Sequence, residues 1–154
     1  MTTPAPTPTP IAELKLTEEI KEAVNGALLG GAPMLLAYVD PDGQPSLSFR
    51  GSTQAYSDDQ LAIWVRNPEG GLLKALATNP RVTLFYRNPQ TRATIQFRGR
   101  GHVENTEAVR RKVYDSAPQP ERNADAQQKG LPLIVDLDRI DGFMPGIRIR
   151  MRRQ

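Results

Sequence analysis

The chain has 154 residues, 38% hydrophobic and 24% charged, enough for one domain with a sizeable core. Twenty Lys and Arg against 17 Asp and Glu leave a formal net charge of +3, too mild to argue for nucleic acid by itself. The absence of cysteine excludes disulfides, thiolate nucleophiles, zinc–cysteine sites and iron–sulfur clusters.

Residues 1–10, MTTPAPTPTP, offer almost nothing to bury, so a disordered or extended Pro/Thr-rich tail is expected there, with residues 11–154 as a single domain. Leu16 to Leu29 reads as a helix. Thr17 can cap it, Glu18 and Glu19 complement the dipole, and Ile20, Val24 and Leu28 follow helical spacing before Gly30-Gly31. Met34 to Val39 is apolar on both faces and reads as a fully buried strand. Pro41-Asp42-Gly43-Gln44 is a turn.

Ser46 to Arg66 reads as two strands of one hairpin, turning at residues 56–60. Alternation places Ser48, Arg50 and Ser52 on one face of the first strand, and Trp64 and Arg66 share a face of the second. Two guanidiniums, hydroxyls at Ser52 and Thr53, and an indole suit a phosphorylated aromatic ligand. Taken alone, a half-exposed hairpin with solvated arginines explains them more simply.

A loop at residues 67–71 leads into a short helix, Leu72 to Thr78, closed by Asn79-Pro80. Arg81 to Arg87 is a strand. Arg92 to Val103 is a long one, with Ala93, Ile95, Phe97, Gly99, Gly101 and Val103 on one face and glycines where a sheet can bend. Thr106 to Asp115 reads as a helix, 117–130 as irregular, and 131–137 and 146–152 as strands. An antiparallel barrel with peripheral helices is the natural architecture.

His102, the lone histidine, reads as a surface residue rather than a haem or metal ligand. Asp136, Asp138 and Asp141 lack the glycine and final Glu of a calcium loop and read as strand-end and turn residues. Arg148, Arg150, Arg152 and Arg153 form a basic edge that is solvated or blunts a sheet edge. A role in holding an acidic substrate or a partner subunit's flavin ranks second. Nucleic acid ranks third, because stacking aromatics are not interleaved. No apolar run reaches membrane-spanning length and the start lacks a signal-peptide pattern, so no membrane partner and a cytoplasmic location are expected.

The series MLLAYVDPDGQPSLSFRGS, DDQLAIWVR, GGLLKALATNPRVTLFYRNP and FRGRGHV, with the final GIRIRMRR, resembles the pyridoxamine 5'-phosphate oxidase-like, FMN-binding split-barrel family. The resemblance implies a mainly β fold, a six-stranded antiparallel split barrel with peripheral helices. It also implies a homodimer with the ligand site at the interface. By position, it places the flavin phosphate on Arg50, Gly51, Ser52 and Thr53. The backbone of Trp64, Val65 and Arg66 lies along the flavin edge, and Gly70, Gly71 and Leu72 close on the phosphate. The oxidases carry a basic pair where this chain has Gly70-Gly71, and the free N–H groups of that helix start are expected to compensate together with Arg66. The implied cofactor is FMN, with deazaflavin or haem as alternatives. The implied activity is hydride or electron transfer to or from a small molecule, with a non-catalytic sensor or carrier as the alternative. No counterpart of the oxidases' C-terminal substrate segment is recognisable, so pyridoxamine phosphate oxidation is not the expected reaction.

Overall fold

The computed structural model describes all 154 residues. The elements in order are β1 (Ala12–Glu13), α1 (Glu18–Asn25), β2 (Leu35–Val39), β3 (Pro45–Phe49), β4 (Gln54–Ala55), β5 (Gln60–Val65) and α2 (Gly71–Thr78). They continue with β6 (Arg81–Arg87), β7 (Thr94–Val103), α3 (Glu107–Ser116), α4 (Gln119–Ala124), β8 (Leu131–Met144) and β9 (Ile147–Arg152). One sheet holds all nine strands in the order β1-β9-β8-β7-β6-β2-β3, with β5 branching from β8 and β4 from β5. The sheet is antiparallel except for the parallel β1–β9 pair. Nine strands replace the six expected, partly because β1 and β4 are two-residue pieces.

β8 is the hinge of the barrel. Its first half, residues 131–136, pairs with β5, and its second half, 139–144, pairs with β9. β7 runs along its whole length, with a register shift between Arg98 and Gly99. A side chain at Gly99 would collide with the Asp136 carbonyl, so the bend needs glycine there. The strand expected over 131–137 runs on to Met144, past Asp138 and Asp141, which were expected at a strand end and turn. Both instead lie within β8 and pair with arginines. Asp138 takes a bidentate pair from Arg100 at 3.0 and 3.1 Å, and Asp141 pairs with Arg139 and Arg152. The C-terminal arginines are likewise tied down: Arg153 pairs with Asp59 at 3.0 Å and Arg150 donates to the Thr9 carbonyl. The edge they were expected to blunt is covered by β1.

The barrel interior is filled by Leu36, Leu61, Ile63, Leu84, Ile95, Phe97, Leu133 and Leu137, and α1 adds Ile20 and Val24. Thr17 caps α1 as expected, its Oγ1 accepting from Ile20 N at 3.3 Å. The helix stops at Asn25, earlier than the spacing predicted, and the Asn25 side chain accepts from Ala55 N of β4. A second cluster, Ala62, Trp64, Val113, Tyr114 and Ile134, packs α3 on the other face of β5. The strand covered on both faces is therefore β5, not β2. Leu36 of β2 and Met34 just before it are buried, while Leu35, Ala37 and Val39 remain partly exposed on the other side. Residues 117–130, expected to be irregular, contain α4, whose Gln119-Pro120 start uses proline where a helix tolerates it. No helix is long and apolar enough to cross a membrane.

The tail before β1 contributes no buried side chain, whereas Leu14 and Leu16 are in the core. Deleting residues 1–8 is therefore expected to leave the melting temperature unchanged within about a degree, and deletion through residue 16 to lower it sharply. Calorimetry of the two truncations checks this, and a large drop for the shorter one would show a docked tail.

Candidate functional site

The expected hairpin is built differently from its sequence pattern. β3 pairs with β2, and Arg50 to Thr53 leave the sheet as a turn before β4 returns to β5. Arg50 and Ser52 therefore do not project from one strand face. The turn folds back on β5 through Ser52, which is only 1% exposed. Its hydroxyl donates to the Trp64 carbonyl at 3.0 Å and accepts from Trp64 N at 2.9 Å. Thr53 Oγ1 donates to the Arg50 carbonyl at 2.7 Å. A hydroxyl has one proton to give, and both are already given within the chain.

Ser52→Ala is accordingly expected to act on stability. It leaves a buried N–H and C=O of Trp64 unpaired, a loss of about 1–3 kcal/mol. Urea unfolding should report that loss, and an unchanged unfolding midpoint would mean that water replaces the hydroxyl.

What the turn does achieve is to bring Arg50 to Arg66. A hollow of about 300 Å³ is lined by Phe49, Arg50, Gly51, Ser52, Trp64, Arg66, Asn67 and Glu121. Arg50 is half-buried, and only its Nε is engaged, donating to Ser48 Oγ at 3.1 Å. Its pKa is lowered, first by burial. The Tyr38 phenol counters this, the Arg66 charge adds to it, and Glu121 again counters it. Two cations sharing one hollow, one of them half-buried, favour an anion there.

The Trp64 side chain is turned away from this hollow. Its ring meets Tyr114 edge-on at 5.2 Å, lies under the Arg110 guanidinium at 5.1 Å, and its Nε1 donates to Asp125 Oδ2 at 2.8 Å. The indole thus anchors α3 and α4, and only the Trp64 backbone faces the site. Burial would raise the Asp125 pKa, but hydrogen bonds from Trp64, Lys129 N and Gly130 N, with the Arg66 charge, hold it below the usual carboxylate range.

Of the other expected residues, Thr53 and Val65 are buried beside the hollow without lining it. Gly70 caps α2 with no side-chain bond, and Gly71 and Leu72 begin the helix. Gly71 stands next to Tyr38, whose hydroxyl would be 3.1 Å from a side chain there, and none of the three lines the hollow. Sequence reasoning missed Phe49, Asn67 and Glu121. Pro120 followed by an acidic residue was a helix-start signal that could have drawn attention to Glu121.

His102 lies well outside the site. Its ring nitrogens are 3.2 Å from Glu104 and 3.2 Å from Asp136 on the exposed side of β7. No group of three or more metal-ligating side chains is present.

The β3-turn-β5 path, the α2 position and the long β7–β8 pair now have a counterpart. The family model described as pyridoxamine 5'-phosphate oxidase matches residues 16–132. The chain belongs to that family. Its fold is the family's split barrel, the fold of flavin-binding oxidoreductase-like proteins. Solved structures agree in fold. HupZ of Group A Streptococcus matches with a TM-score of 0.65 at 18% identity, over 86% of this chain and 98% of that one. An FMN-binding protein from Syntrophomonas wolfei subsp. wolfei gives 0.62 at 9% identity, over 80% and 86%. An F420 reductase gives 0.56 at 21% identity, over 78% and 94%. No protein of curated function matches the chain.

Proposed function

We propose that the chain is a homodimeric flavoprotein of this family, with the phosphate of FMN held at the Arg50–Arg66 hollow. The observation that carries the reading is the convergence of these two arginines beside Phe49, where the hollow opens onto an apolar sheet face. A guanidinium fork presents paired donors to phosphate oxygens, and an apolar wall suits a ring system. In this reading the flavin supplies the hydride or electron transfer to or from a small molecule. The protein binds the flavin, orients it and keeps water away. No side chain acts as a nucleophile.

The second wall of the site comes from a second copy of the chain. The face formed by Leu35, Ala37, Leu47, Phe49 and Phe85 has no cover of its own, with Leu47 65% and Phe49 66% exposed. A deazaflavin is the second cofactor reading, supported by the likeness to an F420 reductase.

The experiment is an absorption spectrum of the purified protein, alone and titrated with FMN and with a deazaflavin, followed by addition of a nicotinamide donor. A yellow protein whose flavin bleaches with the donor is the expected result. A yellow protein that stays oxidised with every donor identifies a carrier or sensor. A colourless protein that ignores both cofactors sinks the reading.

A further inference from the structure

Glu121 of α4 and Asp125, the residue that caps its C-terminus, sit about one turn apart, and both reach toward the end of β5. Four helical residues rise about 6 Å and two strand residues about 6.6 Å, so this pair spans Arg66 and Trp64. The two carboxylates are held very unequally. Asp125 accepts the Trp64 indole at 2.8 Å, Lys129 N at 3.0 Å and Gly130 N at 2.8 Å. Glu121 reaches Arg66 Nε only at 3.7 Å, beyond hydrogen-bond range. It is nevertheless largely enclosed, with its side chain 17% exposed. It lies so close to Gly51 that any side chain there would strike its carboxylate.

Helix α4 needs nothing from Glu121 to stay in place. Tyr114 Oη donates to the Arg122 carbonyl at 3.1 Å, and the Arg122 guanidinium donates to the Asp115 carbonyl at 3.1 Å and to Gln119 at 2.6 Å. With Asp125, these contacts hold both ends of the short helix. The hollow thus contains a loosely bound internal anion, on a firm support, beside Arg66 and in the same hollow as Arg50, the two arginines that a ligand phosphate would use.

We infer that Glu121 is a specificity-determining residue: its carboxylate competes with a ligand's phosphate monoester for Arg50 and Arg66 and must swing out for the phosphate to bind. The inference rests on the Arg50–Arg66 hollow being the anion site proposed above. It adds a residue that sets how strongly the chain prefers a phosphorylated flavin over one without phosphate. Like charges in one partly desolvated hollow repel, so phosphate affinity is held down as long as Glu121 stays. The Gly51 position fits the same account, because a side chain there would displace the carboxylate from where it lies.

The test compares wild type, Glu121→Gln, Glu121→Ala and the double variant Arg50→Ala/Glu121→Gln. Inorganic phosphate is titrated while the amide signals of Arg50 and Gly51 are followed by NMR. FMN and riboflavin are then titrated separately, and the melting temperature of each variant is recorded. Both single variants should bind phosphate and FMN roughly tenfold more tightly than wild type, with riboflavin unmoved. The double variant should lose that gain. If phosphate affinity rises but no variant binds flavin, the gate stands and the flavin reading falls. If flavin binds and Glu121→Gln shifts neither phosphate nor FMN affinity, the gate is wrong and the flavin reading survives. A lowered melting temperature with unchanged or weaker phosphate binding makes Glu121 a structural counter-ion and overturns the inference. So does failure of every variant to bind phosphate.

Discussion

Arg50→Ala should bind FMN at least about tenfold more weakly than wild type, with riboflavin affinity almost unchanged. Arg50 is the better placed of the two arginines in the hollow. It is half-buried, whereas the Arg66 side chain is 53% exposed, and its terminal nitrogens are not engaged within the chain. A charge-assisted hydrogen bond to an ionised group contributes about 1.5–3 kcal/mol, and about 1.4 kcal/mol is a factor of ten. Burial disfavours the charged form of Arg50, and a bound anion offsets that cost. Arg50→Lys should restore only part of the affinity, because a point charge replaces a fork. Fluorescence titration of FMN against riboflavin separates the phosphate contribution from that of the ring. Equal FMN affinity in wild type and Arg50→Ala would move the phosphate to the α2 start beside Tyr38.

Leu47→Arg should convert a dimer into a monomer. β3 pairs Leu47 with Ala37 and Phe49 with Leu35, so the register places these four on one side of the sheet. Leu35 also pairs with Phe85 of β6, which extends the same face. Contiguous exposed apolar surface of this kind marks a contact site. In a two-fold interface the same patch meets itself, so one substitution places two uncompensated charges in the contact. The fold should survive, because Leu47 is 65% exposed and lies outside the core cluster. Since Phe49 belongs both to this face and to the hollow, FMN binding should weaken together with dimerisation. Sedimentation of both proteins at micromolar concentration decides it. A monomeric wild type would remove the second wall from the proposed site.

The two predictions divide the site between what one chain carries and what a second copy adds. Arg50 acts through charge and geometry within a protomer, and Leu47 through the approach of another. Loss of FMN binding in Leu47→Arg with retained phosphate binding would show that the hollow forms without the partner.

Much of the fold was legible because its signals are local. Thr17 caps its helix as its position requires. The alternation of Ala93, Ile95 and Phe97 places them in the core, and Asn79-Pro80 ends α2. Order along the chain sufficed to recognise the family, and with it the split barrel. The sequence also marked Arg50 and Arg66 as the cations of interest.

Tertiary structure alone decided what those residues touch. Spacing cannot tell which second strand covers an apolar face, so β2 looked buried while β5 is the strand enclosed by the barrel on one side and α3 on the other. It cannot tell that a turn will use Ser52 to satisfy the Trp64 backbone, which removes a hydroxyl that alternation had assigned to the ligand. Nor can it bring Glu121 beside Gly51 and Arg66, residues separated by most of the barrel in sequence. These are long-range contacts, fixed by which buried polar groups find partners when the chain closes on itself. A one-dimensional pattern carries the propensity of each segment but not that pairing.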